Sequence, residues 1–263
     1  MGKIIAIANQ KGGVGKTTTA INLAAYFSYY GKKVLLVDID PQANATSGVG
    51  INVYEVEGRN IYQVLLGMVK IEDAIIHIER DPVRFDILPS HPELAGAEVE
   101  LINEMAREFK LKKALTPLVE NYDFILIDTP PSLNLLTINA LTAASSVLIP
   151  LQAEYYAMEG LSYLLSTINR VVEHLNPTLH IEGILITMFD TRNTICHQVA
   201  EEVTRHFGWQ VFETVIPRNV RLTEAPSFGK TIFEYDRKSR GARGYASLAE
   251  EIIAKNQNQA VKG

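Results

Sequence analysis

Short β-branched runs alternate with longer stretches of helical period along this chain. KIIAIAN (Lys3 to Asn9) and KKVLLVDID (Lys32 to Asp40) are almost continuously apolar, and between them TTTAINLAAYFSYYG places its apolar residues at helical spacing. These three segments predict one βαβ unit. The alternation continues through RFDILP, YDFILID, SSVLIP and IEGILIT, with helical stretches predicted over Glu93 to Leu118 and Met158 to Leu175. Strands this apolar must be covered on both faces, which a parallel sheet between two helical layers provides. The expected fold class is α/β: a single doubly wound, mostly parallel sheet of about seven strands, with ligands at the carboxyl ends of the strands. No Gly/Ser/Pro-rich linker, repeat or low-complexity segment interrupts the pattern. Residues 1–254 are therefore expected to form one domain, and residues 255–263, ending KNQNQAVKG, a frayed polar tail.

Composition narrows the class. With 263 residues, 47% of them apolar, the chain has enough material for a sizeable core. Its amino-terminal apolar run is too short for a secretory signal, Ala6 stands where a myristoylation signal wants Ser or Thr, and no apolar stretch is long enough to span a bilayer, so a cytoplasmic protein is expected. The single Cys196 excludes an internal disulfide framework and reads as a packed small side chain. A formal charge of −5 rules out a chain that is basic throughout but leaves room for a local basic face.

Candidate chemistry begins at NQKGGVGKTT, Asn9 to Thr18. The segment follows a predicted strand and opens a predicted helix, where glycines let backbone N–H groups and the positive helix end surround an anion. Lys11, Gly12, Gly13, Val14, Gly15, Lys16, Thr17 and Thr18 are the expected nucleotide-binding residues, with Lys16 on the β- and γ-phosphates and the Thr17 hydroxyl on Mg²⁺. The loop departs from the common G-x-x-x-x-G-K-[ST] form: the position five before Gly15 is Gln10, and a second lysine, Lys11, follows it. The residues alone leave three roles open for Lys11: a charge for another subunit's nucleotide, a charge for its own phosphates, or a solvated side chain.

Three carboxylates support the same site. LLVDIDPQAN ends a strand with Asp38 and Asp40, and FILIDTPPS ends another with Asp128, each where the sheet would present it toward the loop. Mg²⁺ usually keeps several waters, so these groups can hold it through water without direct ligation.

KGGVGKTTTAINLA, LLVDIDPQANATSG, ILIDTPPSL, LIPLQAEYYAMEGL and VIPRNVRLTEAPSFGKTI together resemble the ParA/Soj chromosome- and plasmid-partition ATPases, within the deviant Walker A group that also contains MinD. The resemblance covers nearly the whole chain. It implies an ATPase with ATP and Mg²⁺ as cofactors that forms an ATP-dependent homodimer, binds double-stranded DNA without sequence specificity and is stimulated by a ParB-type centromere-binding partner. It implies that Lys11 acts across the dimer and is catalytic together with Lys16 and Asp40. Asp40 would orient the attacking water, since an ordinary Asp is a poor base at neutral pH. Asp128 would hold the Mg²⁺ hydration shell alongside Thr17 and Asp40, TPPS would be a switch segment, and Pro217 and Asn219 would border the adenine.

From Arg218 to Arg243 seven basic residues face three acidic ones, a concentration of positive charge in an acidic chain. Phosphate contacts from such a face would give sequence-independent affinity. Arg218, Arg221 and Lys230 are the candidate DNA-binding residues within it, and the resemblance adds Arg192 in FDTRNT. A MinD-like membrane-cycling ATPase is the alternative, but YASLAEEIIAKNQNQAVKG is acidic in its middle and polar at its end, so no membrane partner is expected. A reductase of the nitrogenase-iron-protein type would need cluster cysteines, and an ATP-dependent metabolic ligase would need a small-molecule acceptor. The six histidines show no metal-site spacing, and Trp209 and the Tyr155–Tyr156 pair read as packing residues.

Overall fold

A computed structural model describes residues 2–154 and 157–260, the side chains of 258–260 excepted. The expectation for Tyr155 and Tyr156 lies outside the described residues, and Trp209, expected to pack, is instead exposed. Seven strands form one sheet: β1 Lys3–Ile7, β2 Val34–Asp38, β3 Ile76–Arg80, β4 Val83–Leu88, β5 Phe124–Asp128, β6 Ser146–Gln152 and β7 His180–Thr187. Their order is β3-β4-β2-β5-β1-β6-β7, and every pairing is parallel except β3 with β4. The expected doubly wound, mostly parallel sheet is the one observed.

The pleat explains the continuous apolar runs. Successive side chains point to opposite faces, so Ile5, Ile7, Leu36 and Leu126 enter one core while Ile4, Ala6, Leu35 and Ile127 enter the other. Helices Lys16–Tyr29 and Arg240–Ala260 cover the first face through Leu23, Phe27, Tyr245 and Leu248. Helices Leu135–Ala143, Ala157–His174 and Thr194–Phe207 cover the second through Leu136, Leu161 and Val203.

Three stretches depart from the expectations. The strand β3 alternates buried Ile78 with exposed His77 and Glu79, a half-covered antiparallel edge that lacks the continuous apolar run of its neighbours. The predicted helix over Glu93 to Leu118 is broken into Leu94–Glu100, Lys110–Leu115 and short 3₁₀ turns, with left-handed backbone at Ala106. Buried Asn139 services the break, accepting from Leu111 N–H at 3.1 Å and donating to the Arg107 carbonyl at 2.9 Å. At the other end of the chain the helix continues through residues 255–260, where a frayed tail was expected. Asn256 anchors it, donating to Glu182 at 3.3 Å and accepting from Lys3, so its polar end is tied to β1 and β7.

Candidate active site

The loop Lys11–Thr18 lies at the carboxyl end of β1 and runs into helix Lys16–Tyr29. Gly13 and Gly15 take φ of 75° and 91°, left-handed values at which a side chain would be strained. That helix starts with no side-chain cap and no acidic residue in its first turn, so its first N–H groups and its positive dipole end are left for an anion. Two residues that the motif did not reveal hold the loop. Buried Asn9 donates to the Pro150 carbonyl at 2.7 Å and accepts from Lys11 N–H at 2.9 Å, and Thr187 at the end of β7 donates to the Val14 carbonyl at 2.8 Å.

Lys16 is buried within the loop it belongs to, with Nζ 3.2 Å from the Lys11 carbonyl. Burial lowers its pKa, while the nearby carboxylates of Asp128 and Asp40 oppose that shift. A cation held in this way has desolvation already imposed on it and gains from the arrival of phosphate.

The three carboxylates prove unequal. Asp38 and Asp128 are register partners at the ends of β2 and β5, and both are fully buried. Asp38 accepts from Thr46 N–H at 2.8 Å, the Thr46 hydroxyl at 2.7 Å and Asp40 N–H at 3.2 Å, so it organises the loop after β2. Burial pushes its pKa up to about 6 against those hydrogen bonds. Among the described residues neither carboxylate oxygen of Asp128 has a hydrogen bond of standard geometry, although the Thr17 hydroxyl lies near enough to favour its charged form. Burial first and the neighbouring Asp38 second raise its pKa well above the usual carboxylate range. An acidic group buried beside a phosphate loop with neither oxygen in a hydrogen bond of standard geometry fits a hydrated divalent cation, which would satisfy it. The residues expected at such a cation, Thr17, Asp40 and Asp128, are brought together here, whereas Asp38 is committed to the protein.

Asp40 is buried yet borders the cavity, and its position is set from two sides. Gln42 N–H donates to its carboxylate at 2.9 Å, and Ser90 Oγ donates to its carbonyl at 2.7 Å. Ser90 N–H also donates to the Thr46 hydroxyl at 2.9 Å, closing a network that joins Asp38, Thr46, Ser90 and Asp40. Thr46 lies in the short helix Asn44–Gly48 after β2 and Ser90 in the loop after β4, and only the fold brings them together.

A cavity of about 470 Å³ is lined by Gly12, Lys16, Thr17, Asp40 and Pro131. A neighbouring one of about 330 Å³ is lined by Pro217, Asn219, Leu222 and Tyr245, and the two share Gly15, Thr18, Met188 and Pro226. One space therefore offers a phosphate-binding loop and, beside it, a partly apolar slot of a size for a purine, bordered by the two residues expected there. The Asn219 side chain accepts from Arg221 N–H at 2.8 Å, capping helix Val220–Glu224.

Lys11 stands outside this cavity, half-exposed, and its ammonium pairs with the Glu154 carboxylate of the same chain. The candidate DNA residues are also engaged. Arg192 makes a two-pronged pair with Asp190, at 3.0 and 2.9 Å, and Arg218 on the adjoining strand-like segment adds to the field that holds the Asp190 carboxyl far below the usual range. Arg221 donates to Glu224 at 2.9 Å and lies 3.6 Å from Asp236. Arg218 and Lys230 are exposed. Arg237, another member of the basic segment, stacks over Tyr29 and Phe233 at 4.5 Å from each ring centre. No helix among the described residues is long and apolar enough to cross a membrane.

Comparison with known proteins places these features in context. A family model described as an AAA domain matches residues 2–181. The chain is 56% identical over 254 residues to the sporulation initiation inhibitor protein Soj of Bacillus subtilis, covering 97% of this chain and 99% of that protein. It is 55% identical over 257 residues to the chromosome partitioning protein ParA of Myxococcus xanthus, covering 97% of this chain and 89% of that one. Among solved structures, cobyrinic acid a,c-diamide synthase from Mycobacterium smegmatis with bound ATP analog and magnesium is 37% identical with a TM-score of 0.82, covering 95% of this chain and 93% of that chain.

Proposed function

This chain belongs to the Soj/ParA family of chromosome-partitioning ATPases, and we propose that it binds ATP with Mg²⁺ at the Lys11–Thr18 loop, dimerises on ATP, binds duplex DNA without sequence preference and is stimulated to hydrolyse ATP by a ParB-type partner. The observation that carries the site is the convergence of Lys16, Thr17 and Asp40 on one cavity, with the carboxylate of Asp128 buried close behind them. That a structure 37% identical to this chain was solved with ATP analog and magnesium supports the choice of cofactors.

The roles follow from position. The loop N–H groups and Lys16 cradle the β- and γ-phosphates, and the slot at Pro217 and Asn219 takes the adenine. Thr17 and Asp128 would hold Mg²⁺, which would supply neutralisation of the charge on the transferring phosphoryl group. Asp40, fixed by Ser90 and Gln42, orients the attacking water, which is what a loose transition state requires. Lys11 leaves Glu154 and delivers its charge to the nucleotide of the second subunit, where charge develops in the transition state. The DNA face uses Arg218 and Lys230 directly, with Arg192 and Arg221 exchanging their own carboxylates for phosphates.

The apolar side of helix Arg240–Ala260 is spent on the core, with Tyr245, Leu248, Ala249 and Ile252 buried, which favours DNA over a membrane as the surface this protein cycles on. ATP hydrolysis measured alone, with duplex DNA, and with DNA plus a ParB-type protein tests the proposal. Stimulation in the third condition is expected. Turnover that depends instead on a small carboxylic acid acceptor would overturn it in favour of a metabolic ligase.

A further inference from the structure

Arg80 ends the antiparallel edge strand β3 and takes no part in lining the phosphate cavity. Its guanidinium bridges two segments that are distant in sequence: one nitrogen donates to the Gly229 carbonyl and another to the Val49 carbonyl, both at 2.7 Å, and the Glu234 carboxylate lies 3.5 Å away. Both carbonyls close short helical turns, Val49 after Asn44–Gly48 and Gly229 after Ala225–Phe228. At the joint the backbones touch, so that a Cβ on Gly229 would stand 2.6 Å from the Gly50 Cα.

The two segments carry different groups: the first the acids of the phosphate site, the second the basic residues. The first begins at Asp38 and Asp40, is held to Asp38 through Thr46, and lines the phosphate cavity with Asn44 and Ser47. The second carries Arg218, Arg221 and Lys230; it meets the phosphate cavity through Pro226 and borders the neighbouring slot through Asn219 and Leu222. We propose that Arg80 is a positioning residue that couples nucleotide occupancy to DNA binding, clamping the segment around Asp40 to the basic segment so that the two move as one body. The coupling rests on the ATP-controlled DNA binding proposed above. The chemistry suits the role: a planar guanidinium fork fixes two acceptors at once in a set geometry, which a lysine ammonium on a flexible stem does not reproduce.

The test compares full-length wild type, Arg80→Ala and Arg80→Lys by fluorescence anisotropy on a labelled duplex, with ATP and with ADP, alongside titration of a fluorescent ATP analogue. Affinity for the analogue should stay within about twofold, while the ratio of DNA affinities in ATP and ADP should fall about tenfold in Arg80→Ala and by less in Arg80→Lys, within the range over which coupled sites act. A purely structural role would lower both DNA affinities together. An unchanged ratio in the variants, or equal loss in the two nucleotide states, overturns the coupling. If Arg80→Ala does not fold, Arg80→Lys decides by the same ratio. Wild-type protein that binds DNA equally in ATP and ADP would overturn the proposed function itself, and the coupling with it; that outcome is seen before any variant is measured.

Discussion

Asp38 and Asp128 sit side by side at the ends of two neighbouring strands, yet one carboxylate has three protein hydrogen bonds and the other, among the described residues, has none of standard geometry, only the nearby Thr17 hydroxyl. The difference separates a group that builds the site from one that waits for a ligand. Removing Asp38 strands the buried Thr46 N–H, so Asp38→Ala should cost about 3 kcal/mol of stability, of the order expected when buried donors lose an acceptor. Asp128→Asn removes a buried carboxyl whose ionisation burial opposes, and should stabilise the nucleotide-free protein at neutral pH by about 1 kcal/mol while abolishing Mg²⁺-dependent hydrolysis. Chemical denaturation without nucleotide, paired with an ATPase assay, checks both. An Asp128→Asn protein that unfolds more easily than wild type would refute the assignment.

The same pair shows what the sequence displayed and what it concealed. Both acids are visible after apolar runs, as are the loop glycines, and the strand ends bring all of them to one place because a parallel sheet aligns its carboxyl ends. What separates Asp38 from Asp128 is Thr46, eight residues on, and Ser90, after another strand, and no spacing rule joins those two. Asn9 and Thr187 escaped for the same reason: each is a single polar residue at a strand end, and its meaning lies in the carbonyl it meets. The strand β3 was missed because an edge needs only one covered face, and the long helix from Glu93 was over-read because a tertiary partner, Asn139, stabilises the break.

Lys11 and Glu154 are both half-exposed, so their pairing is weak and easily exchanged. Lys11→Ala should keep nucleotide binding in the monomer and lose ATP-dependent dimerisation. Glu154→Gln should release the lysine and strengthen ATP-dependent dimerisation by up to about fivefold, the equivalent of one exposed ion pair. Sedimentation over a concentration series measures both. Mixing Lys11→Ala with Lys16→Ala subunits should restore one working site per mixed dimer; no recovery in demonstrably mixed dimers counts against action across the interface.

Asp40→Ala should bind ATP and dimerise but fail to hydrolyse, because the loop, Lys16 and Asp128 remain while the water loses its orienting group. Loss of about a hundredfold or more in turnover is expected, as for other groups that position a reactant. Single-turnover hydrolysis and sedimentation in ATP and Mg²⁺ provide the check. A variant that stays monomeric while wild type dimerises would remove Asp40 from the catalytic step and place it in nucleotide sensing.

The DNA face yields the sharpest sign test, because two carboxylates already occupy one of its arginines. Arg221 donates to Glu224 and lies near Asp236, so any phosphate must displace them. Glu224→Gln should therefore strengthen binding to every duplex alike, whereas Arg221→Glu should weaken it. Each phosphate neutralised steepens the fall of log affinity with log salt by about 0.9, so Arg221→Glu should flatten that slope by about one such contact per subunit. Tyr235 also donates to Glu224, at 3.1 Å, and Tyr235→Phe separates charge from hydrogen bonding by loosening Glu224 with no change in net charge. Anisotropy on two unrelated duplexes over a salt series, with ATP present, measures affinity and slope together. Glu224→Gln weakening the complex, or shifting preference between the two duplexes, would mean that the carboxylate serves recognition and that Arg221 does not meet phosphate.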